Sequence, residues 1–404
     1  MRRIAITGMG ILSSIGVNGR EVLASLQQGH SGIEFIPERK ALGFRGALGG
    51  RIKGLGPPNV PKRNLRQMGP GSYLAVLAVQ QALEDSGLAM SQIQNDRTGI
   101  IIGNIGNMQD IYRQCRMFHD RTQKLGGTAY QRVMGDSVSA NLSVLLGVKG
   151  YSLTVSAACA TGAAAIGHAA QLIRGGLQDR CICGGVQEDS WEYFCQFDAL
   201  QVFSTRDDEP TKASRPFDKY RDGLVPSAGC GIVILEELEV ALRRGAKIYA
   251  ELVGYAFTCD GDDMTAPSGD GSIRCMAQAL RDAGVTPDQV DYVNAHATST
   301  PKGDAVEAQA IAKVFGHSPY VSSTKSMTGH EQGASGSNEI VYTLLMMEHD
   351  FIAPNINLEE LDAQCEGINV VANHAIAAKI DIAVSNAFGF GGVNTCIVLQ
   401  KFPQ

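Results

Sequence analysis

The chain has 404 residues, 44% hydrophobic and 19% charged, with a formal net charge of −6. That length asks for two domains or one duplicated architecture, and the composition excludes a disordered chain. The acidic balance argues against a general nucleic-acid surface.

Strand-like and helix-like segments alternate along the sequence. "RRIAITG" reads as a strand and "MRRIAITGMGILSSIG" as that strand plus a turn, since three glycines interrupt any signal-peptide core. Its "GMG" invites a dinucleotide motif, but Ser13 stands where G-x-G-x-x-G needs glycine. "REVLASLQQG" and "SYLAVLAVQQALEDSGL" read as helices, "RTGIIIG" as a buried strand, and "SLTVSA" as a strand before a helix from about Ala160 to Arg174. "RCICGGV" and "CGIVILEELE" are further strands. From about Ala246 the cycle restarts: strand "KIYAELVGYAFT", helix "SIRCMAQALRDAG", strand and loop "VDYVNAHAT", helices "GDAVEAQAIAKVF" and "SGSNEIVYTLLMMEH", and the strand pair in "DIAVSNAFGFGGVNTCIVLQK". The stretch 228–239 echoes 391–402. Two similar halves, 1–245 and 246–404, in a layered α/β fold are expected.

None of the ten cysteines forms a CxxC pair. Cys181 and Cys183 are expected to face different neighbours rather than one metal, and no metal site is expected. A reducing, cytoplasmic location follows. No apolar run approaches the ~18 residues of a membrane span, so no membrane association is expected.

One stretch stands out chemically: "TVSAACATGAAAIGHAAQLIRGG", with Cys159 between a strand and a helix. A tight strand-to-helix turn puts a side chain at free N–H groups and the positive end of the helix dipole. Both favour thiolate, the reactive form. The helix is apolar nearly all round, which predicts central burial, and its small residues leave room for a neighbour or a substrate. His296, in "NAHATSTPKGD", and His330, five residues after Lys325 in "VSSTKSMTGHEQGASG", fall in Gly/Ser/Thr-rich turns where chemistry concentrates.

These motifs, with "SNAFGFGGVN" near the end, resemble the β-ketoacyl-acyl carrier protein synthases over essentially the whole chain and in the family's order. The elongating synthase I type is most similar, through "DGDDMTAPSGDGSIRCM" and "MMEHDFIAPNINLEELD". The resemblance implies the thiolase fold: duplicated βαβαβαββ halves forming a layered αβαβα core, in a homodimer. It implies decarboxylative Claisen condensation in fatty acid elongation, with Cys159 taking an acyl chain from acyl carrier protein. His296 and His330 would assist decarboxylation and hold the enolate, and the amides of Cys159 and Phe390 would form the oxyanion hole. Lys325 would organise charge with Glu339, Thr298 and Thr300 would bind the phosphopantetheine arm, and Phe388 and Phe390 would flank the acyl pocket. Gly106 would leave space where that pocket meets the dimer partner. The phosphopantetheine arrives on the carrier, so no cofactor of the enzyme's own is implied.

Lys62, Arg63 and Arg66, with Arg206, would suit an acidic carrier protein. The chain departs from the family at Gly162, Ala297, Val393 and Glu331, the last putting a carboxylate beside His330. These departures leave a specialised ketosynthase of a polyene or polyketide-type pathway open. A degradative thiolase and a non-catalytic chain-length partner fit less well, because the nucleophile is not near the N-terminus and Cys159 is intact.

Overall fold

The computed structural model describes residues 2–403. Its frame is one motif used twice. The first copy runs β1 (Ile4–Leu12), α1 (Pro70–Ser86), β2 (Thr98–Asn104), α2 (Ser137–Leu146), β3 (Ser152–Val155), α3 (Thr161–Arg174), β4 (Arg180–Gln187), β5 (Gly229–Glu237). The second runs β6 (Ala250–Cys259), α4 (Asp270–Ala283), β7 (Tyr292–Asn294), α5 (Pro301–Phe315), β8 (Tyr320–Ser322), α6 (Ser335–His349), β9 (Ile382–Gly389), β10 (Val393–Lys401). Both read βαβαβαββ.

Strand order repeats as well. The sheet runs β8-β7-β9-β10-β6-β1-β5-β4-β2-β3, with Asn369–Val370 added outside β8. In each half the first strand pairs antiparallel with the last, the last antiparallel with the fourth, and the fourth parallel with the second. The halves join through a two-residue seam, Ala5 opposite Glu251 and Ile6 opposite Ala250, beside an Arg3–Glu251 ion pair. The echoed stretches 228–239 and 391–402 hold β5 and β10, which occupy equivalent places.

Helices α1 and α2 pack on the outside of the first half-sheet and α4 on the outside of the second. Helices α3 and α6 pack on each other and touch strands of both halves, giving αβαβα layers. That inner position explains why α3 is buried on nearly every face. Gly162 permits the α3–α6 crossing: a Cβ there would stand 2.8 Å from Ser337 Oγ and 2.9 Å from the Ser337 amide nitrogen. The small residues after Cys159 therefore serve close helix packing rather than substrate space.

Three further expectations need correction. Strand β1 continues through its glycines to Leu12 instead of turning, because Gly8 lies against α1, where a Cβ would meet the Ala82 carbonyl oxygen at 2.5 Å. Cys181 and Cys183 face the same core, as residues two apart on a strand must, with Ile182 on the opposite face. Their sulfurs still go separate ways, toward Ala169 O at 3.9 Å and Val233 O at 3.7 Å. The helices at α2, Met108–His119 and Trp191–Ala199 are not among the elements expected from the sequence. The serines and valines of α2 disfavour helix locally, and its packing on α1, β2 and β3 overrides them.

Candidate active site

Cys159 sits in the turn between β3 and α3, two residues before the helix begins. Ala158 holds a left-handed φ of 47°, a strained conformation for a residue with a Cβ. Thr161 pins the turn: its hydroxyl accepts from the Ala157 amide at 2.7 Å and donates to the Ala158 carbonyl at 2.6 Å. Gly389, at the end of β9, lies against this turn, where a Cβ would stand 3.0 Å from both Ala157 O and Cys159 N. Left-handed Gly391 and Gly392 (φ 83° and 72°) then swing Phe390 around the sulfur.

His296, from the loop after β7, and His330, from the segment before α6, converge on Cys159. The sulfur and one ring nitrogen of each histidine lie within 4.8 Å of one another. The imidazoles stand edge to face, with ring centres 5.3 Å apart. The trio is close enough to grip an ion. However, the main-chain amides of Phe390 and of Cys159 itself are aimed at the sulfur, and N–H donors serve an acyl oxygen or a thiolate, not a cation.

Burial sets the protonation. It pushes the Cys159 thiol up to about 11, against the pull of the Lys325 charge and those two amides. The expected resting thiolate is thus corrected to a thiol, because desolvation outweighs the helix start. Both histidines lie well below the usual imidazole range, by burial first and the Lys325 charge second, so both are neutral. His330 Nδ1 is 2.9 Å from Ser335 Oγ, while His330 Nε2 and His296 Nδ1 have no partner among the described residues. Lys325 and Glu339 form a direct, fully buried ion pair.

These groups face a cavity of about 360 Å³, also lined by Thr298, Thr300, Phe388 and Phe390. The two threonine hydroxyls are 3.2 Å apart. Phe390 stacks on Phe197 at 5.8 Å, and Phe388 leans on His296 at 6.0 Å. Gly106 is not among the lining residues. Its φ of 140° requires glycine whatever the substrate. Lys62, Arg63 and Arg66 are exposed on and beside a short helix, outside the cavity. Arg206 does not add a free charge to them, because its guanidinium bonds Tyr220 O at 2.7 Å and lies 3.6 Å from Asp222. Nor does Glu331 put a charge on His330. Its carboxylate turns to Ser13, Asn338 and Tyr342 (2.9, 2.7 and 3.0 Å), and burial pushes it up to about 8.

Sequence reasoning missed Glu307. It accepts from the amides of His296 and Ala297 at 2.8 and 2.6 Å and so fixes the loop that carries the histidine. A second acid, after Asp304, among the alanines of α5 was the available signal. Phe197, Val202 and Leu224, which wall the cavity, carried none.

Comparison with known proteins gives a consistent picture. A model of the β-ketoacyl synthase N-terminal domain matches residues 1–241, and one of the C-terminal domain matches residues 249–359. The chain is 47% identical to the 3-oxoacyl-[acyl-carrier-protein] synthase 1 of Haemophilus influenzae, with both chains covered 100%. It is 46% identical to that of Escherichia coli, with both covered 99%. Among solved structures, a β-ketoacyl synthase from Burkholderia phymatum aligns over 100% of both chains with a TM-score of 0.96 and 36% identity. A type II PKS acyl-carrier protein in complex with its ketosynthase aligns over 100% of both chains with a TM-score of 0.90 and 29% identity.

Proposed function

The chain belongs to the β-ketoacyl synthase family of acyltransferases, and from that premise we propose that it elongates fatty acyl chains on acyl carrier protein. The carrying observation is one cavity in which two neutral imidazoles and two main-chain amides surround a single thiol. In the first step the Cys159 sulfur attacks the acyl thioester. The new S–C bond forms, the carrier's C–S bond breaks, and the thiol proton ends on the carrier sulfur. The amides of Cys159 and Phe390 hold the developing oxyanion.

In the second step malonyl-carrier loses carbon dioxide, and its enolate carbon attacks the acyl-Cys159 carbonyl. A C–C bond forms, Cys159 leaves as thiolate, and the sulfur takes a proton from water. We assign the His330 proton to Nε2, with Ser335 Oγ–H donating to Nδ1. Neutral imidazoles suit the enolate, since they donate hydrogen bonds without carrying an acid that would quench the carbanion. Lys325 and Glu339 organise charge behind them, and Thr298 and Thr300 hold the phosphopantetheine arm. Phe388 and Phe390 flank the acyl entrance. Residues 1–245 supply the nucleophile, and 246–404 supply the histidines and lysine.

The exposed Lys62, Arg63 and Arg66 receive the acidic carrier. Gly106 lies toward the partner subunit of a homodimer. Strand β3 supports that dimer: it ends the sheet, with Leu153 and neighbouring Tyr151 half-exposed. No helix among the described residues is long and apolar enough to cross a membrane, and a cytoplasmic site suits the reaction. The test is product formation. With acyl- and malonyl-carrier the wild-type protein should make β-ketoacyl-carrier, and Cys159→Ala should make none. Product at the wild-type rate from Cys159→Ala would overturn the proposal.

A further inference from the structure

Gln332 takes no part in the steps above, yet it touches the reacting atom. Its Oε1 is 3.8 Å from Cys159 Sγ, within reach of the weak S–H donor. Its Nε2 is buried and has no partner among the described residues. The residue is completely buried and holds a left-handed φ of 48°, while a Cβ on the next residue, Gly333, would stand 3.2 Å from Ile105. An apolar side chain of the same length would fill this space without stranding a donor. The carboxamide therefore needs a partner that the resting protein does not offer.

The sulfur supplies one when its state changes. As a thiol it donates, and Oε1 accepts. As a thiolate it only accepts, and a half-turn about the broad terminal torsion of Gln332 brings Nε2–H to the same place. We propose that Gln332 is a further catalytic residue, a reversible hydrogen-bond partner that accepts from the Cys159 thiol and donates to the Cys159 thiolate. It acts when the thiolate forms in acyl transfer and again when condensation expels it. The carboxamide exchanges no proton, so the balance of both steps is unchanged.

Other groups face the same sulfur and set the background. Lys325 and Glu339 act on it from the start and the interior of the flanking helical segments. Neutral His296 and His330 stand across the cavity, and Tyr193 approaches from the Trp191–Ala199 helix. Among the described residues, the Phe390 and Cys159 amides and Gln332 lie within hydrogen-bond reach of the sulfur.

The proposal rests on Cys159 being the acyl-transfer nucleophile, and its test is kept separate from that role. Cys159 alkylation by iodoacetamide is followed against pH by mass spectrometry of its peptide, with exposed Cys115 and Cys259 as internal controls. Gln332→Leu and Gln332→Met should move the Cys159 inflection upward and slow its alkylation at pH 8 about tenfold. The high-pH plateau should stay within about twofold of wild type, and the control cysteines should not move. A merely structural role would lower the plateau without moving the inflection. An unmoved inflection in either folded variant overturns the proposal. Failure of the acyl-transfer role would appear elsewhere, as a wild-type Cys159 that accepts no acyl group.

Discussion

Each active-site group has a state fixed by what surrounds it. His330 is neutral because it is buried beside a cation, and its Nε2 is free to donate. His330→Ala should therefore leave acylation of Cys159 intact and lower carbon dioxide release from malonyl-carrier by about 10²-fold or more, the scale of losing one oxyanion donor. Release of carbon dioxide at the wild-type rate would contradict the role. Cys159, His296, Lys325 and His330, which the fold brings together, were legible because each lies in a short motif. Gln332 and Ser335 lie in the same stretch as His330, but their contacts, like those of Glu307, are created only by the fold. Glu307 lies eleven residues from the histidine whose amide it receives, and its helix must turn back for the two to meet. The state of Cys159 was misjudged for a related reason. The sequence shows the helix start, which favours thiolate, but not the depth of burial that opposes it more strongly.

Helices α3 and α6 carry the site, and their crossing sets its precision. Gly162 leaves no room for a side chain against Ser337. Gly162→Val should force the helices apart, cost about 1–3 kcal/mol, and depress activity along with the melting temperature. Thermal melts followed by circular dichroism provide the check, and a variant as stable as wild type would show that the crossing is looser than described. Long helices such as α1, α4, α5 and α6 were readable from sequence, as were the apolar strands. Strand β1 was cut short because glycine reads as a turn, whereas here it lets α1 approach the sheet. Helix α2 was overlooked because local propensity opposes it and tertiary packing decides.

The duplication was visible as a repeated order of elements, and the matching strand order in the two halves gives it a structural basis. The seam between the halves is short, and the inner helices bind them into one body that buries several acids. Burial pushes Glu331 up to about 8 and Glu307 up to about 7, against an unfolded value of about 4.3. The folded state therefore holds more protons than the unfolded chain between those values. Stability from these groups is full at acid pH and falls as pH rises through 7 and 8. Glu331→Gln keeps an acceptor for Ser13, Asn338 and Tyr342 without the charge. It should flatten the fall in melting temperature between pH 6 and 9 and raise the pH 9 value by a few degrees. A variant that tracks wild type across that range would remove Glu331 from the account.

The central claim is that this whole arrangement exists to present one thiol. The direct measurement is the intact mass of the protein after incubation with an acyl-acyl carrier protein. The account predicts the gain of one acyl group in the wild type and no gain in Cys159→Ala, although nine other cysteines remain in the chain. An adduct that persists in Cys159→Ala would contradict it.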